Sequence, residues 1–151
     1  FTLKECLDNF IAEDKLDEKN LRFCPYCQEN SKCAKKMDLW SAPKVLILHL
    51  KRYQCNIYST KKLTEKVTYP DILDLSSYIV GPDQDKDNMK YKLYAIIEHF
   101  GGLDSGHYET IILQDQKDKW FKYNDQLVQI IKKEKAHSQN AYVLFYVRID
   151  E

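Results

Sequence analysis

Gly101-Gly102-Leu103-Asp104-Ser105-Gly106-His107-Tyr108 holds three of the four glycines in this 151-residue chain. A glycine cluster marks a loop whose backbone needs positive φ or must let another group approach closely. Strand-like runs flank it, Tyr91 to Phe100 and Tyr108 to Leu113. His107 therefore stands where a loop enters a strand, a common position for a catalytic side chain. Further on, Trp120-Phe121-Lys122-Tyr123-Asn124-Asp125 is an aromatic strand that ends in two polar residues. A histidine beside an amide or carboxylate forms the base-and-orienter half of a nucleophilic hydrolase. Successive strand residues point to opposite faces, so Asn124 and Asp125 cannot both reach the same ring nitrogen.

A second group with chemistry is Cys24-Pro25-Tyr26-Cys27. Two thiolates two residues apart on a tight turn can share one tetrahedral Zn²⁺, which needs four ligands. No second Cys-x-x-Cys is present, so the pair is half of a zinc site, or else a metal-free turn. Cys33 is either a third ligand or a loop cysteine. A redox Cys-x-x-Cys would follow a strand and open a helix; a charged stretch without that pattern surrounds this one.

Several elements must position these groups. Leu3, Cys6, Leu7, Phe10 and Ile11 recur at helical spacing, with Thr2 as N-cap and Glu5 as its capping-box partner. Lys36 to Trp40 alternates as a short strand. Val45 to Tyr53 is the most strand-like run, its continuous apolar part suggesting burial on both faces, with His49 as a hydrogen-bonded core residue. Lys61, Lys62 and Lys66 form a solvated, basic hairpin-like region. Val67 to Tyr69 is a strand, Ile72 to Leu75 a packed turn, and Gly81 to Asn88 an exposed loop. Tyr91, Leu93, Ala95 and Ile97 alternate, and Leu127 to Ile131 and Ala141 to Val147 are further strands. The sum is an N-terminal helix and about eight strands, an α+β domain with a twisted antiparallel sheet.

Composition bounds the function classes. Hydrophobic residues make up 44% and charged residues 30%, as in a globular protein. Twenty-three basic and 23 acidic side chains cancel, so no field favours nucleic acid or an anionic membrane. No apolar run has the length of a membrane span. Five cysteines, an odd number, argue for reduced thiols or metal and hence for cytoplasm or nucleus. The lack of an initiator Met suggests a piece of a longer protein.

With these residues in order, the chain resembles the ubiquitin-specific proteases, papain-like cysteine deubiquitinases. The matches run from Leu3-Lys4-Glu5-Cys6-Leu7 through Cys24-Pro25-Tyr26-Cys27, Pro43 to Tyr53 and Asp74-Leu75-Ser76-Ser77-Tyr78. They continue with His99-Phe100-Gly101-Gly102, Gly106-His107-Tyr108, Trp120 to Asp125, and Ala141 to Tyr146. The ordered set is specific, although Gly-His-Tyr alone is not.

The resemblance implies the C-terminal part of a catalytic domain, with zinc-bearing fingers over about 20–70 and a β palm over 90–149. His107 corresponds to the general base and Asn124 to the orienting position, which in this family is Asp or Asn. On this reading Asn124 Oδ1 accepts Nδ1–H and leaves Nε2 for the thiol. Asp125 matches the adjacent supporting acidic position. Gly101, Gly102 and Gly106 resemble the loop that closes over the ubiquitin tail, and Tyr108 would line its channel. Cys24 and Cys27 would give two of the four ligands to a structural Zn²⁺. Glu109 stands where a smaller or uncharged residue is expected. The family's nucleophilic Cys box and first Cys-x-x-Cys have no counterpart here. The expected partners are ubiquitin or ubiquitinated proteins and the N-terminal half of the same domain. The alternative is an inert binding module of the same fold.

Overall fold

The first helix, α1 (Leu3–Ile11), begins at the expected capping box. Thr2 Oγ1 accepts the Glu5 amide at 3.2 Å, and Glu5 Oε2 accepts the Thr2 amide at 2.7 Å. Two otherwise orphaned N–H groups are thereby satisfied. Leu3 and Leu7, one turn apart, are buried. The computed structural model describes residues 1–82 and 89–149. Most of the expected loop over Gly81 to Asn88 thus lies outside the described residues; Gly81 itself is buried, its amide donating to the Trp40 carbonyl at 3.0 Å.

Among the described residues thirteen strands follow: β1 (Asp14–Lys15), β2 (Arg22–Cys24), β3 (Glu29–Ser31), β4 (Ala34–Lys35), β5 (Val45–His49), β6 (Tyr53–Cys55) and β7 (Thr60–Lys62), then β8 (Ile72–Asp74), β9 (Lys90–Gly101), β10 (Gly106–Gln114), β11 (Lys119–Asn124), β12 (Leu127–Ile131) and, after α2 (Lys133–Ala136), β13 (Ala141–Arg148). Seven build one antiparallel sheet, in the order β12-β11-β10-β9-β13-β5 with β8 also paired to β9. The remaining six form three two-stranded ribbons, β1-β4, β2-β3 and β6-β7. The eight-strand expectation missed mainly these ribbons, whose two- and three-residue strands are too short to show a period.

The core lies against β9, β10 and β13, where Tyr91, Leu93, Ile96, Ile111, Leu144 and Tyr146 are at most 1% exposed. The buried tyrosines keep their hydroxyls bonded: Tyr91 donates to the Pro43 carbonyl at 2.6 Å and Tyr146 to that of Pro70 at 2.7 Å. The expected alternation through Ile97 breaks. Phe145 pairs with Ala95 but Tyr146 with Leu93, so Tyr94 is an extra residue in β9. This bulge moves the buried phase to Ile96 and Glu98.

Other expectations need correction. Lys36 to Trp40 is no strand; Leu39 makes only an isolated parallel bridge to Ile79, and Thr68 one to Thr2 in place of the strand expected at Val67 to Tyr69. Ile72 to Asp74 is a strand rather than a turn. The Val45 to Tyr53 run breaks at Leu50, because Arg52 turns inward and donates to the carbonyls of Ala141, Leu63 and Glu65. Its first part, β5, is an edge strand with Val45 and Ile47 exposed, so it is not buried on both faces. His49 is exposed with it, standing edge-on to Tyr142 at 4.6 Å between ring centroids.

Candidate active site

The β9-β10 hairpin closes around the glycine loop. Gly101 pairs with Gly106, and the Gly102 amide donates to the Ser105 carbonyl at 2.9 Å. Two of the three glycines are sterically required. Gly101 has φ +92°, and a Cβ on Gly106 would come 2.3 Å from His99 Nε2. A Cβ on Gly102 would meet nothing within 4 Å.

Strand period two then sets the faces. His107 and Glu109 share one face of β10, and Lys122 and Asn124 share the same face of β11, since Ile111 pairs with Lys122. Asn124 Oδ1 lies 2.7 Å from His107 Nε2. The bonded nitrogen is thus Nε2 rather than the expected Nδ1, and Nδ1 is the nitrogen left for a reactant. The Asn124 amide nitrogen donates to Glu109 Oε1 at 2.6 Å. Lys122 Nζ sits between two carboxylates, 2.5 Å from Glu109 Oε2 as an ion pair and 2.9 Å from Glu98 Oε2. Ser138 Oγ donates to the other Glu98 oxygen. Burial works to lower the Lys122 pKa, but Glu109 and Glu98 outweigh it and hold it above the ordinary value. Glu98, Glu109, Lys122 and Asn124 line a cleft of about 510 Å³ together with Phe100 and His137.

The sequence reading missed Lys122 and Glu98 as members of this network and left Glu109 unexplained. The available signal was period two: Glu109 is two residues after His107, and Lys122 two before Asn124. Glu98 was hidden by the bulge at Tyr94, which no pattern announces.

The other expected residues lie elsewhere. Tyr108 is on the face opposite His107, 57% exposed, its ring 4.6 Å from that of His99. Asp125 is exposed at the first position of the β11-β12 turn, with φ +49°. Among the described residues, no hydrogen bond joins Asp125 to His107 or Asn124, and none joins any of the five thiols to His107. Cys24 and Cys27 lie on the β2-β3 ribbon, where Gln28 takes a left-handed φ of +56° and its amide donates to the Cys24 carbonyl at 2.8 Å. The backbone N–H groups of Cys27 and Tyr26, with the Cys27 thiol, hold the Cys24 thiol below its ordinary pKa. Donors aimed at sulfur suit a metal-bound thiolate. Among the described residues, no three or more His, Cys, Asp or Glu side chains come together to hold a metal. No helix among them is long and apolar enough to cross a membrane.

Residues 10–146 match the ubiquitin carboxyl-terminal hydrolase family. The chain belongs to that family. Ubiquitin carboxyl-terminal hydrolase 8 of Arabidopsis thaliana is 39% identical over 98% of the chain, and hydrolase 15 of Homo sapiens 36% identical over the same share. The chain spans 17% and 15% of the lengths of those two relatives. In a solved structure of the SAGA Ubp8/Sgf11/Sus1/Sgf73 DUB module bound to ubiquitin aldehyde, one chain superposes with a TM-score of 0.82 at 30% identity. The match covers 99% of the present chain and 34% of the other. A yeast SAGA DUB module gives 0.85 at the same identity, over 99% and 33%. The ubiquitin hydrolase fold expected from the sequence, α+β and dominated by antiparallel strands, is therefore the fold found, in that part of the domain the chain spans.

Proposed function

We propose that this chain is the histidine-bearing part of a thiol hydrolase that cuts the peptide or isopeptide bond after the C-terminal glycine of ubiquitin. The observation that carries the reading is the 2.7 Å bond between His107 Nε2 and Asn124 Oδ1, set at the mouth of the glycine loop. Asn124 accepts Nε2–H, which leaves Nδ1 as the base. Nδ1 takes the proton of a thiol supplied by the N-terminal half of the domain and returns it to the leaving amine as the acyl-thiol forms. Gly101, Gly102 and Gly106 give the loop that closes over the ubiquitin tail, with Tyr108 beside it. Asp125 supports the site through the turn, by taking the left-handed conformation that ends β11 at Asn124. Residues 20–70 form the fingers and 90–149 the palm. Cys24 and Cys27 would hold a structural Zn²⁺, whose role there is to tie the ribbon to ligands outside this chain. Ubiquitin or ubiquitinated proteins in cytoplasm or nucleus are the partners this chemistry fits; zero net charge favours neither nucleic acid nor membrane.

A second reading is a ubiquitin-binding module without chemistry, favoured by the absence, among the described residues, of a thiol bonded to His107. A ubiquitin C-terminal amide reporter separates the two. The chain alone is expected to be inert, and the chain joined to a thiol-bearing N-terminal half is expected to turn over and to lose turnover on His107→Ala. Alkylator-sensitive turnover by the chain alone would bring back Cys55 or Cys33 as nucleophile. Joined halves that bind ubiquitin without cutting it would establish the binding module.

A further inference from the structure

Glu109 is the residue for which neither the family pattern nor the base-and-orienter pair has a use. Its side chain is only 12% exposed, yet it carries a carboxylate, and a buried carboxylate needs partners. It has two. One oxygen accepts the Asn124 amide nitrogen at 2.6 Å; the other lies 2.5 Å from the Lys122 ammonium. Lys122 is shared with Glu98, so two carboxyl groups face one ammonium.

The two ends of an asparagine amide have nearly the same shape and opposite hydrogen-bonding character. If Asn124 turned its nitrogen to His107, Nε2 would have to accept, and the proton of the neutral ring would move to Nδ1. Nδ1 could then no longer act as base. Something must therefore choose the end. A carboxylate paired with an ammonium accepts and does not donate, so only the nitrogen end of Asn124 can face it. Resting on the function proposed above, we infer that Glu109 is a positioning residue: it fixes the Asn124 amide so that oxygen faces His107, and thereby sets which ring nitrogen is free.

The same contact makes a prediction about the other residue this family uses at the orienting position. Aspartate at 124 would place carboxylate against carboxylate at the 2.6 Å separation now held by a hydrogen bond. Like charges so placed disfavour joint ionisation. Asn124→Asp is thus expected to be harmful while Glu109 is present and tolerated once Glu109 is neutral.

Two measurements test this. Long-range ¹H–¹⁵N NMR on the chain itself reads the His107 tautomer without any need for turnover. The unmodified chain is expected to show the Nε2–H form, and Glu109→Gln, isosteric but able to donate, a mixture with Nδ1–H; an unchanged Nε2–H form in Glu109→Gln overturns the proposal. In the enzyme assembled with the thiol-bearing half, Asn124→Asp is expected to lower turnover about tenfold, and Asn124→Asp with Glu109→Gln to return within about threefold of the unmodified enzyme. A merely structural Glu109 would give additive losses, and additivity overturns the proposal. If Glu109→Gln does not fold, Asn124→Asp alone decides, since turnover within about threefold of the unmodified enzyme contradicts a facing carboxylate. Turnover that survives His107→Ala is a different failure, one that removes the proposed base itself.

Discussion

His107 and His99 stand on opposite faces of one hairpin and are held in opposite ways. His107 is exposed and meets an acceptor, Asn124 Oδ1, backed by a carboxylate. His99 is 4% exposed and meets a donor: Lys62 Nζ lies 2.9 Å from its Nδ1 and also donates to the carbonyls of His99 and Gly101. Tyr53 spends its hydroxyl proton on the Gly102 carbonyl at 2.9 Å, so at 3.1 Å from Nδ1 it adds only contact. Burial first, and then the Lys62 charge, push the His99 pKa below its ordinary value. One ring stands exposed against an acceptor at the mouth of the glycine loop; the other is buried against a cation, which disfavours its charged form, and serves as a strut. The same residue type, eight positions apart, does different work because strand alternation sends it to different neighbours. The basic hairpin read from sequence as a solvated face is, at Lys62, the clamp on the glycine loop.

The largest effect should come from the side proposed above for proton transfer. Asn124→Ala in the assembled enzyme is expected to lower turnover by roughly 10²- to 10⁴-fold, the range for an impaired orienting residue, with little change in melting temperature. A loss below about fivefold would show that the ring needs no orienter. The strut side should give the reverse pattern. Gly106→Ala drives a methyl to 2.3 Å from His99 Nε2 and 2.6 Å from the Phe100 carbonyl, and overpacking of this kind costs about 1–3 kcal/mol. Urea denaturation reads it, and an unchanged midpoint would mean that the loop shifts freely.

A smaller effect separates the two rings by pH. Unfolding frees His99 to take a proton near pH 6.5, which its folded state resists. Stability is therefore complete above about pH 6.5 and falls with pH until the lowered folded value is passed. His99→Gln keeps an acceptor for Lys62 and should flatten that slope, a difference urea midpoints across the window would register. The smallest effect is expected at Asp125. Asp125→Gly, which suits φ +49°, should leave turnover within about twofold, whereas Asp125→Val should cost roughly 1–2 kcal/mol through a conformation that β-branched residues avoid. Equal and severe losses of turnover in both variants would make the carboxylate itself part of the chemistry.

Much of the layout of the candidate site is legible in the sequence. Glycine clustering located the loop, and the polar end of an aromatic strand located Asn124. Both are local signals. What stayed hidden depended on partners distant in sequence. The orientation of the His107 ring follows from Glu109 and Lys122 across two strands, and the burial of Glu98 follows from one extra residue at Tyr94. The Val45 to Tyr53 run departs from expectation for a related reason: a continuous apolar stretch does not say whether both faces of the strand are covered within this chain.

That last strand has a consequence for handling the molecule. The sheet ends on one side with β5, where Val45 and Ile47 face solvent, and on the other with β12, where Leu127, Val128 and Ile130 do. Among the described residues neither border pairs with a further strand, each carries exposed apolar side chains, and neither has proline or a bulge to discourage pairing with a neighbour. At high concentration, two such molecules should find each other's borders. Light scattering on a dilution series would follow that stickiness, and one lysine at Ile47 or Val128 should be enough to blunt it.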